Sequence, residues 1–157
     1  MKWITSELME ELTIRAGAQL RRRINHNVHE SPSDPVQRLF IVTKLGSYFR
    51  PHRHPRRWEF AVVLRGRFDV VVFDDAGRVV ERRPVGPGQE AVGFEMPANT
   101  WHSWIPTSED SVFFELKQGP YDPQTAAEFA AWAPAEGAAQ VPEFAARMGK
   151  AKVGELV

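Results

Sequence analysis

The chain has 157 residues, a length that fits one domain with short terminal additions. Its 20 basic residues balance 20 acidic ones, so the formal net charge of zero favours neither nucleic acid nor an anionic membrane as a partner. Cysteine is absent, which excludes disulfides, thiolate metal sites and cysteine nucleophiles, so a metal must use histidine and carboxylate ligands.

The start of the sequence and the length of its apolar runs bear on the expected location. No apolar run of a signal peptide follows Met1, and no segment approaches the roughly 18 apolar residues of a membrane span. We therefore expect a cytoplasmic protein without a membrane partner.

Residues 1–35 are predicted to form a short helix and an extended arm. Residues 6–17 place apolar side chains at i, i+4 spacing, with Ser6 as a suitable N-cap. Residues 21–30 are polar and have no helical period, which indicates an extended arm, and the Pro- and Ser-rich residues 31–35 form a turn.

Residues 36–121 alternate short apolar runs with turn residues, the pattern of antiparallel strands. About eight runs recur at spacings of about 8–14 residues, and they are too short and too β-branched for helices. The predicted strands are Leu39–Leu45, Tyr48–His54, Trp58–Leu64, Phe68–Phe73, Val79–Val85, Ala91–Met96, His102–Ile105 and Ser111–Lys117. This region is predicted to be an all-β sandwich or small barrel.

Residues 122–157 form an alanine-rich tail. Thr125–Trp132 and Pro142–Met148 are each predicted to form a short helix. The aromatic side chains of the tail predict that it docks on the barrel rather than extending into solvent.

A cluster of metal-binding residue types lies in the β-region. His52 and His54 are one residue apart, so along a strand both imidazoles are predicted to point the same way. Glu59 adds an oxygen ligand, and His102 begins a run that can face the others across a barrel. These four residues can bind one divalent metal and leave positions for water or substrate. The alternative is a barrel filled by ordinary packing.

The spacing around these residues is similar to the cupin motifs. Gly46 to Gly66 reads G-x5-H-x-H-x4-E-x6-G, the first cupin motif in full. Pro97 and His102 match part of the second motif. Asn99 stands where cupins usually have glycine, and asparagine is among the few other residues that tolerate a positive φ.

Further segments resemble the WbuC-type cupin-fold metalloproteins over about residues 20–135. The segments that carry this resemblance are Arg23–His29, Asp34–Arg38, Arg50–Pro55, Trp58-Glu59, Phe73–Gly77 and Phe114–Tyr121. The resemblance implies a jelly-roll barrel, the double-stranded β-helix of cupins, with a short N-terminal helix and short C-terminal helices. Members of that family are associated with bacterial O-antigen and other polysaccharide gene clusters, which implies a sugar context but no settled reaction.

Polar residues near the histidines are candidates for substrate binding. Arg50 alternates with the histidines, so it is predicted either to clamp a carboxylate or phosphate or to pair with Glu115 or Glu95. Tyr48 is either a pocket hydroxyl or a rim aromatic. The arm is predicted to close over the barrel mouth, and its candidate residues are Asn25, His29, Gln37 and Arg38. For His29 a surface or capping role is the alternative.

We therefore expect a metal-binding cupin that acts on or binds a small polar or anionic molecule, such as a sugar or sugar nucleotide in bacterial polysaccharide biosynthesis. The expected metal is zinc or iron(II), with nickel, manganese and cobalt as alternatives. Glu115 is the candidate for moving a proton, and isomerase, lyase and oxygenase chemistry remain open. The alternative function is a non-catalytic sugar- or metal-sensing module. A homodimer is expected, because cupins often cover their sheet edges by pairing.

Overall fold

Ten strands and two helices make up the fold of this computed structural model, which describes residues 1–157. The elements are α1 Ser6–Gly17, β1 Arg23–Asn27, β2 Val36–Lys44, β3 His52–Arg53, β4 Glu59–Arg65, β5 Phe68–Phe73, β6 Val79–Val85, β7 Gly93–Met96, β8 Trp101–Pro106, β9 Asp110–Gln118, β10 Glu128–Phe129 and α2 Val141–Lys150. All ten strands pair antiparallel, in two five-stranded sheets with the orders β1-β2-β9-β4-β7 and β10-β3-β8-β5-β6.

The first sheet has apolar side chains on both of its faces. Successive residues along a strand point to opposite faces. Ile41 of β2 points inward and joins the core between the two sheets. Phe40 and Val42 point outward and pack against Leu12 and Ala16 of α1. The amphipathic helix therefore covers the outer face of this sheet, which leaves the interior of the sandwich for the site.

The tail covers the outer face of the second sheet. Val71 and Phe73 of β5 lie in one cluster with Phe144 and Met148 of α2, and all four are buried. Phe144 is thus one of the aromatic side chains through which the tail packs on the barrel. The proposed division of the chain at residues 35 and 121 stays a prediction.

Helix α1 has the predicted bounds, but its N-cap differs from the prediction. The hydroxyl of Thr5, rather than Ser6, accepts the hydrogen bond from the Leu8 backbone N–H. Thr5 has the extended backbone that an N-cap needs, whereas Ser6 already belongs to the helix. The predicted helix at 142–148 corresponds to α2.

The predicted helix Thr125–Trp132 is wrong. Asp122 closes a turn through the backbone N–H groups of Gln124 and Thr125, and β10 follows as an extended segment paired with β3. Arg53 and Glu128 form a double hydrogen bond across this pair, at 3.0 and 2.9 Å. Pairing with a distant strand therefore outweighs the helical preference of the alanine-rich tail.

The predicted strand Tyr48–His54 is reduced to the two residues of β3. Pro51 and Pro55 flank it, and proline has no N–H to donate to a sheet ladder. The arm at Arg23–Asn27 was expected to be extended and forms the edge strand β1, paired with β2. Neither helix has the length and apolar character needed to cross a bilayer.

Candidate metal centre

Three histidines converge inside the barrel. His52 on β3 is the direct cross-strand partner of His102 on β8, and their ring centroids lie 4.5 Å apart. His54 follows two residues later on the same side, with its ring centroid 5.1 Å from that of His52. The nitrogens available as ligands all lie within 4.8 Å of one another. The structure therefore places His102 beside His52 in one sheet, whereas the sequence predicted an approach across the barrel.

Glu59 approaches the histidines from the opposite sheet. It begins β4, and its side chain is 1% exposed. Oε2 lies 3.0 Å from Nε2 of His54, and Oε1 lies 3.1 Å from Nε2 of His102. The four residues proposed as ligands from the sequence are thus brought to one point.

Backbone carbonyls fix the orientation of all three imidazoles. Nδ1 of His52 lies 2.9 Å from the carbonyl oxygen of Arg50. Nδ1 of His54 lies 2.5 Å from that of Ala126, and Nδ1 of His102 lies 2.9 Å from that of Thr100. A carbonyl oxygen can only accept, so each Nδ1 carries the proton and each neutral ring keeps its Nε2 lone pair free. Metal-binding histidines are commonly oriented in this way.

Several acceptor atoms of this cluster have no donor. Both carboxylate oxygens of Glu59 and Nε2 of His102 are buried and lack a hydrogen bond of good geometry. Buried acceptors that face one another at about 3 Å are costly unless a cation or proton lies between them. The three-histidine group therefore fits a divalent metal ion, and Glu59 is placed to serve it as an oxygen donor.

The same contacts shift the pKa values of the ionisable groups. Burial raises the pKa of Glu59, but the charges of His102 and Lys117 outweigh this and hold the pKa well below its usual range. Burial lowers the pKa of His102, and the charge of Glu59 reverses the shift, so the pKa is raised. A proton on Nε2 of His102 can thus join it to Glu59 in metal-free protein. Burial and the charge of His102 lower the pKa of His52 well below its usual range.

Two charged side chains of β9 lie beside this cluster. Nζ of Lys117 is 2.7 Å from Oε1 of Glu115, 3.1 Å from Nε2 of His54 and 3.4 Å from Oε2 of Glu59. Burial raises the pKa of Glu115. Burial lowers the pKa of Lys117, but the two carboxylates outweigh it and raise the pKa to about 12. Lys117 was not among the predicted site residues, although it follows Glu115 by two residues and must share its face of the strand.

A cavity of about 530 Å³ opens above the histidines. Arg50 lines it, as predicted from its alternation with His52, and the guanidinium carbon lies 5.3 Å from the ring of Phe129. Nη2 of Arg50 donates to the carbonyl oxygen of Ala130 at 2.9 Å, and Nε is buried without a partner. Arg50 therefore has no carboxylate partner, which makes the alternative of pairing with Glu115 or Glu95 wrong.

Three of the four candidates from the arm and the start of β2 lie in the cavity wall. Asn25, His29 and Gln37 all line the cavity. The side-chain amide of Gln37 donates to the carbonyl oxygen of Asp34 at 2.8 Å, so it also holds the turn that begins β2. Arg38 points away from the cavity and pairs with Asp34 at 3.1 Å.

Tyr48 lies outside the cavity wall. Its hydroxyl donates to the carbonyl oxygen of Pro134 at 3.0 Å, and its ring meets that of Phe144 edge-on at 6.1 Å. Tyr48 therefore packs between the barrel and the tail. The strand that was to carry Tyr48 toward the cavity begins only after Pro51, at His52.

The turn before His102 is hydrogen-bonded to the segment that carries His54. Asn99 has φ +65°, so the sequence expectation that it replaces glycine in a left-handed conformation is confirmed. Its backbone N–H donates to the carbonyl oxygen of His54 at 2.8 Å. The two sequence motifs are thus joined by a hydrogen bond next to the site.

Three solved structures illustrate the similarity of this fold to known proteins. KdgF from Halomonas sp. is 24% identical, with a TM-score of 0.50, over 65% of this chain and 82% of that chain. An oxalate oxidase in complex with the substrate analogue glycolate is 17% identical, with a TM-score of 0.54, over 71% and 57%. The capsular polysaccharide assembling protein CapF from Staphylococcus aureus is 20% identical, with a TM-score of 0.52, over 62% and 27%.

These structures share the jelly-roll fold, and the predicted all-β cupin jelly roll is confirmed. The match spans little more than half of the oxalate oxidase chain and about a quarter of CapF, so the likeness concerns the barrel. No curated protein has a sequence that matches this chain. Residues 4–85, just over half of the chain, match the model of a family described as "Domain of unknown function (DUF6016)", and the protein therefore belongs to the DUF6016 family.

Proposed function

We propose that this protein is a metal-dependent cupin enzyme acting on a small anionic or polar molecule. The observation that carries the proposal is the convergence of three oriented imidazoles and one carboxylate, with unpartnered acceptor atoms, at the base of a cavity. In this proposal His52, His54, Glu59 and His102 hold one divalent ion. The donor set suits zinc or iron(II), with nickel, manganese and cobalt as alternatives.

A bound divalent ion supplies Lewis acidity, polarising a substrate oxygen or lowering the pKa of water. The protein's own residues would do the positioning. Arg50 offers a guanidinium that has no carboxylate partner to a carboxylate or phosphate. The ring of Phe129 packs against the guanidinium in a cation–π contact. The ring and the Ala130 carbonyl together limit the motion of Arg50, so that part of the ordering cost is met before a ligand arrives.

The charge of the cavity wall supports an anionic ligand. Its cationic side chains are Arg21, Arg23, Arg50, Arg57 and Lys117, and its carboxylates are Glu115 and Glu136. A volume of about 530 Å³ lies within the range of small-molecule sites and exceeds the needs of a two-carbon acid. A ligand of sugar size with an acidic group fits both properties.

The choice between an enzyme and a binding module depends on groups that can exchange protons. A binding module needs ligands and packing, whereas proton transfer needs an acid or base close to the substrate. Glu115 is buried, lines the cavity and touches Lys117. This pair supports an enzyme with Glu115 as the group that takes or gives a proton. Isomerisation and elimination both use such a step, and oxygenation is a third option.

The sugar context of the proposal has two sources. The sequence resembles the WbuC-type cupin-fold metalloproteins, which are associated with polysaccharide gene clusters. CapF, one of the similar structures, is a capsular polysaccharide assembling protein. We therefore propose a sugar or sugar nucleotide of bacterial polysaccharide biosynthesis as the substrate class. A homodimer remains our expectation, and analytical ultracentrifugation tests it.

The proposal is tested by metal-dependent ligand binding. Protein loaded with Zn²⁺ and metal-free protein are screened by thermal shift against uronic acids, sugar phosphates and nucleotide sugars. We expect a rise in Tm with at least one acidic sugar that requires the metal, and a slow metal-dependent conversion that Glu115→Gln abolishes without loss of metal. Binding that survives unchanged in metal-free protein would contradict the proposal. Metal-dependent binding without any conversion would identify the non-catalytic module instead.

A further inference from the structure

Lys117 is a partly buried lysine whose ammonium lies beside the proposed metal ligands. Its side chain is 22% exposed, and Nζ lies 3.1 Å from Nε2 of His54. Because Nδ1 of His54 faces the Ala126 carbonyl, Nε2 is the nitrogen with the free lone pair, and the ammonium donates to it. That lone pair is the one His54 would offer to a metal.

Carboxylates complete the surroundings of the ammonium. Oε1 of Glu115 lies 2.7 Å from Nζ, and Oε2 of Glu59 lies 3.4 Å away. The ammonium therefore contacts two of the four proposed metal ligands and one carboxylate that is not a ligand. A positive charge held among buried ligands does electrostatically what a divalent ion would do there.

We propose that Lys117 is an internal counter-cation that competes with the metal for His54 and Glu59 and so sets the affinity of the site. This inference rests on the proposed metal site. On metal binding, Nζ leaves Nε2 of His54 and keeps Glu115 as its partner. The flexible four-carbon stem of lysine permits that movement, because β9 keeps the backbone in place. Lys117 thereby stabilises the metal-free barrel and weakens metal binding.

Removing the charge has opposite effects on the two states. In Lys117→Met the metal-free protein buries Glu59 and Glu115 without a nearby lysine, which destabilises it. The loaded protein loses a cation that repels the metal. We therefore expect Zn²⁺ to bind about tenfold more tightly to Lys117→Met than to the unaltered protein, and the metal-free variant to melt at a lower temperature.

Lys44 provides a matched control. Its side chain is 19% exposed and also pairs with two carboxylates, Asp110 and Glu109. Asp110 and Lys117 lie at opposite ends of β9, about 20 Å apart along the strand. We expect Lys44→Met to lower the Tm of metal-free protein and to leave the Zn²⁺ affinity unchanged.

The affinities are measured by competition between protein and a chromophoric chelator for Zn²⁺. Unchanged or weaker binding in Lys117→Met would overturn the role of Lys117 and leave the metal site standing. If the unaltered protein binds no Zn²⁺, both proposals fall. Should metal-free Lys117→Met not fold, the rate at which the chelator removes Zn²⁺ from loaded Lys117→Gln replaces the equilibrium measurement. We expect about tenfold slower removal than from loaded unaltered protein, and equal or faster removal would overturn the role of Lys117.

Discussion

His52 and His102 are direct cross-strand neighbours in one sheet, although fifty positions separate them in the sequence. The pairing of β3 with β8 sets their ring centroids 4.5 Å apart, and the carbonyl oxygens of Arg50 and Thr100 orient the two rings in the same way. A slip of one residue in this register would turn one ring to the outer face of the sheet. Two of the proposed ligands are therefore fixed by the sheet itself rather than by flexible loops.

The double change His52→Ala with His54→Ala removes two of the four proposed ligands. Purified unaltered protein is expected to hold about one divalent metal per chain, and the double variant to hold none, because two remaining ligands bind too weakly. Inductively coupled plasma mass spectrometry measures the content. His26→Ala is the control, since His26 lies on β1 outside the cavity wall. Equal metal content in the double variant and the control would refute the site.

Arg50→Ala separates ligand binding from metal binding. We expect the metal content to be unchanged and the affinity for an acidic sugar to fall about tenfold or more, because a charge-assisted hydrogen bond to the ligand is lost. Isothermal titration with metal-loaded protein measures this. Arg56→Ala is the control, since Arg56 is exposed and does not line the cavity. A fall in Tm without any change in ligand affinity would show that Arg50 serves only to hold the tail at Ala130.

Gly66 is predicted to be the most sensitive glycine of the first motif. Its φ is +73°, and an added Cβ would lie 2.8 Å from Cα of Ser111 and also collide with the carbonyl oxygen of Asp110. We expect Gly66→Ala to lower the free energy of unfolding by about 3–5 kcal/mol, from backbone strain and overpacking together. Urea denaturation measures it.

Gly88 is the matched control for this change. It has φ +78° but no atom within 4 Å of an added Cβ, so Gly88→Ala should cost only the strain of about 1–2 kcal/mol. Equal losses in the two variants would mean that the close approach of β4 and β9 at Gly66 does not matter for stability.

Tyr48 should make stability depend on alkaline pH. Burial raises the pKa of its hydroxyl from 10 to about 12. Below pH 10 both folded and unfolded chains keep the proton. Between pH 10 and pH 12 only the unfolded chain loses it, so unfolding releases a proton and stability falls as the pH rises.

The test compares the unaltered protein with Tyr48→Phe in urea denaturation at pH 9, 10 and 11. The phenylalanine variant lacks the ionisable group, so its free energy of unfolding should decline less between pH 10 and pH 11 than that of the unaltered protein. Parallel declines would indicate that Tyr48 is not buried against the tail in solution.

The strands could be predicted where local pattern decides them. Phe68–Phe73 and Val79–Val85 have the predicted bounds, because turns that contain Gly66, Gly77 and Gly86 mark their ends. The ligand candidates were also visible, since each is a distinctive side chain at a fixed spacing. Long-range pairing was not visible, and β10 forms only because β3 offers an edge to the tail.

The groups that orient the site residues could not be predicted from the sequence. Backbone carbonyls, such as those of Ala126 and Ala130, hold His54 and Arg50, and a carbonyl has no residue signature. Lys117 was missed because charged residues near strand ends are usually solvated. Its burial depends on Glu59 and Glu115, which approach from two strands.

The most direct test of the central claim is a crystal structure of natively purified protein with anomalous diffraction recorded on both sides of the zinc and iron absorption edges. We predict one anomalous peak per chain, bonded to the Nε2 atoms of His52, His54 and His102 and to a carboxylate oxygen of Glu59, with an open position facing Arg50. A barrel without an anomalous peak, with Lys117 still hydrogen-bonded to His54 in protein that carries about one metal per chain, would contradict the account.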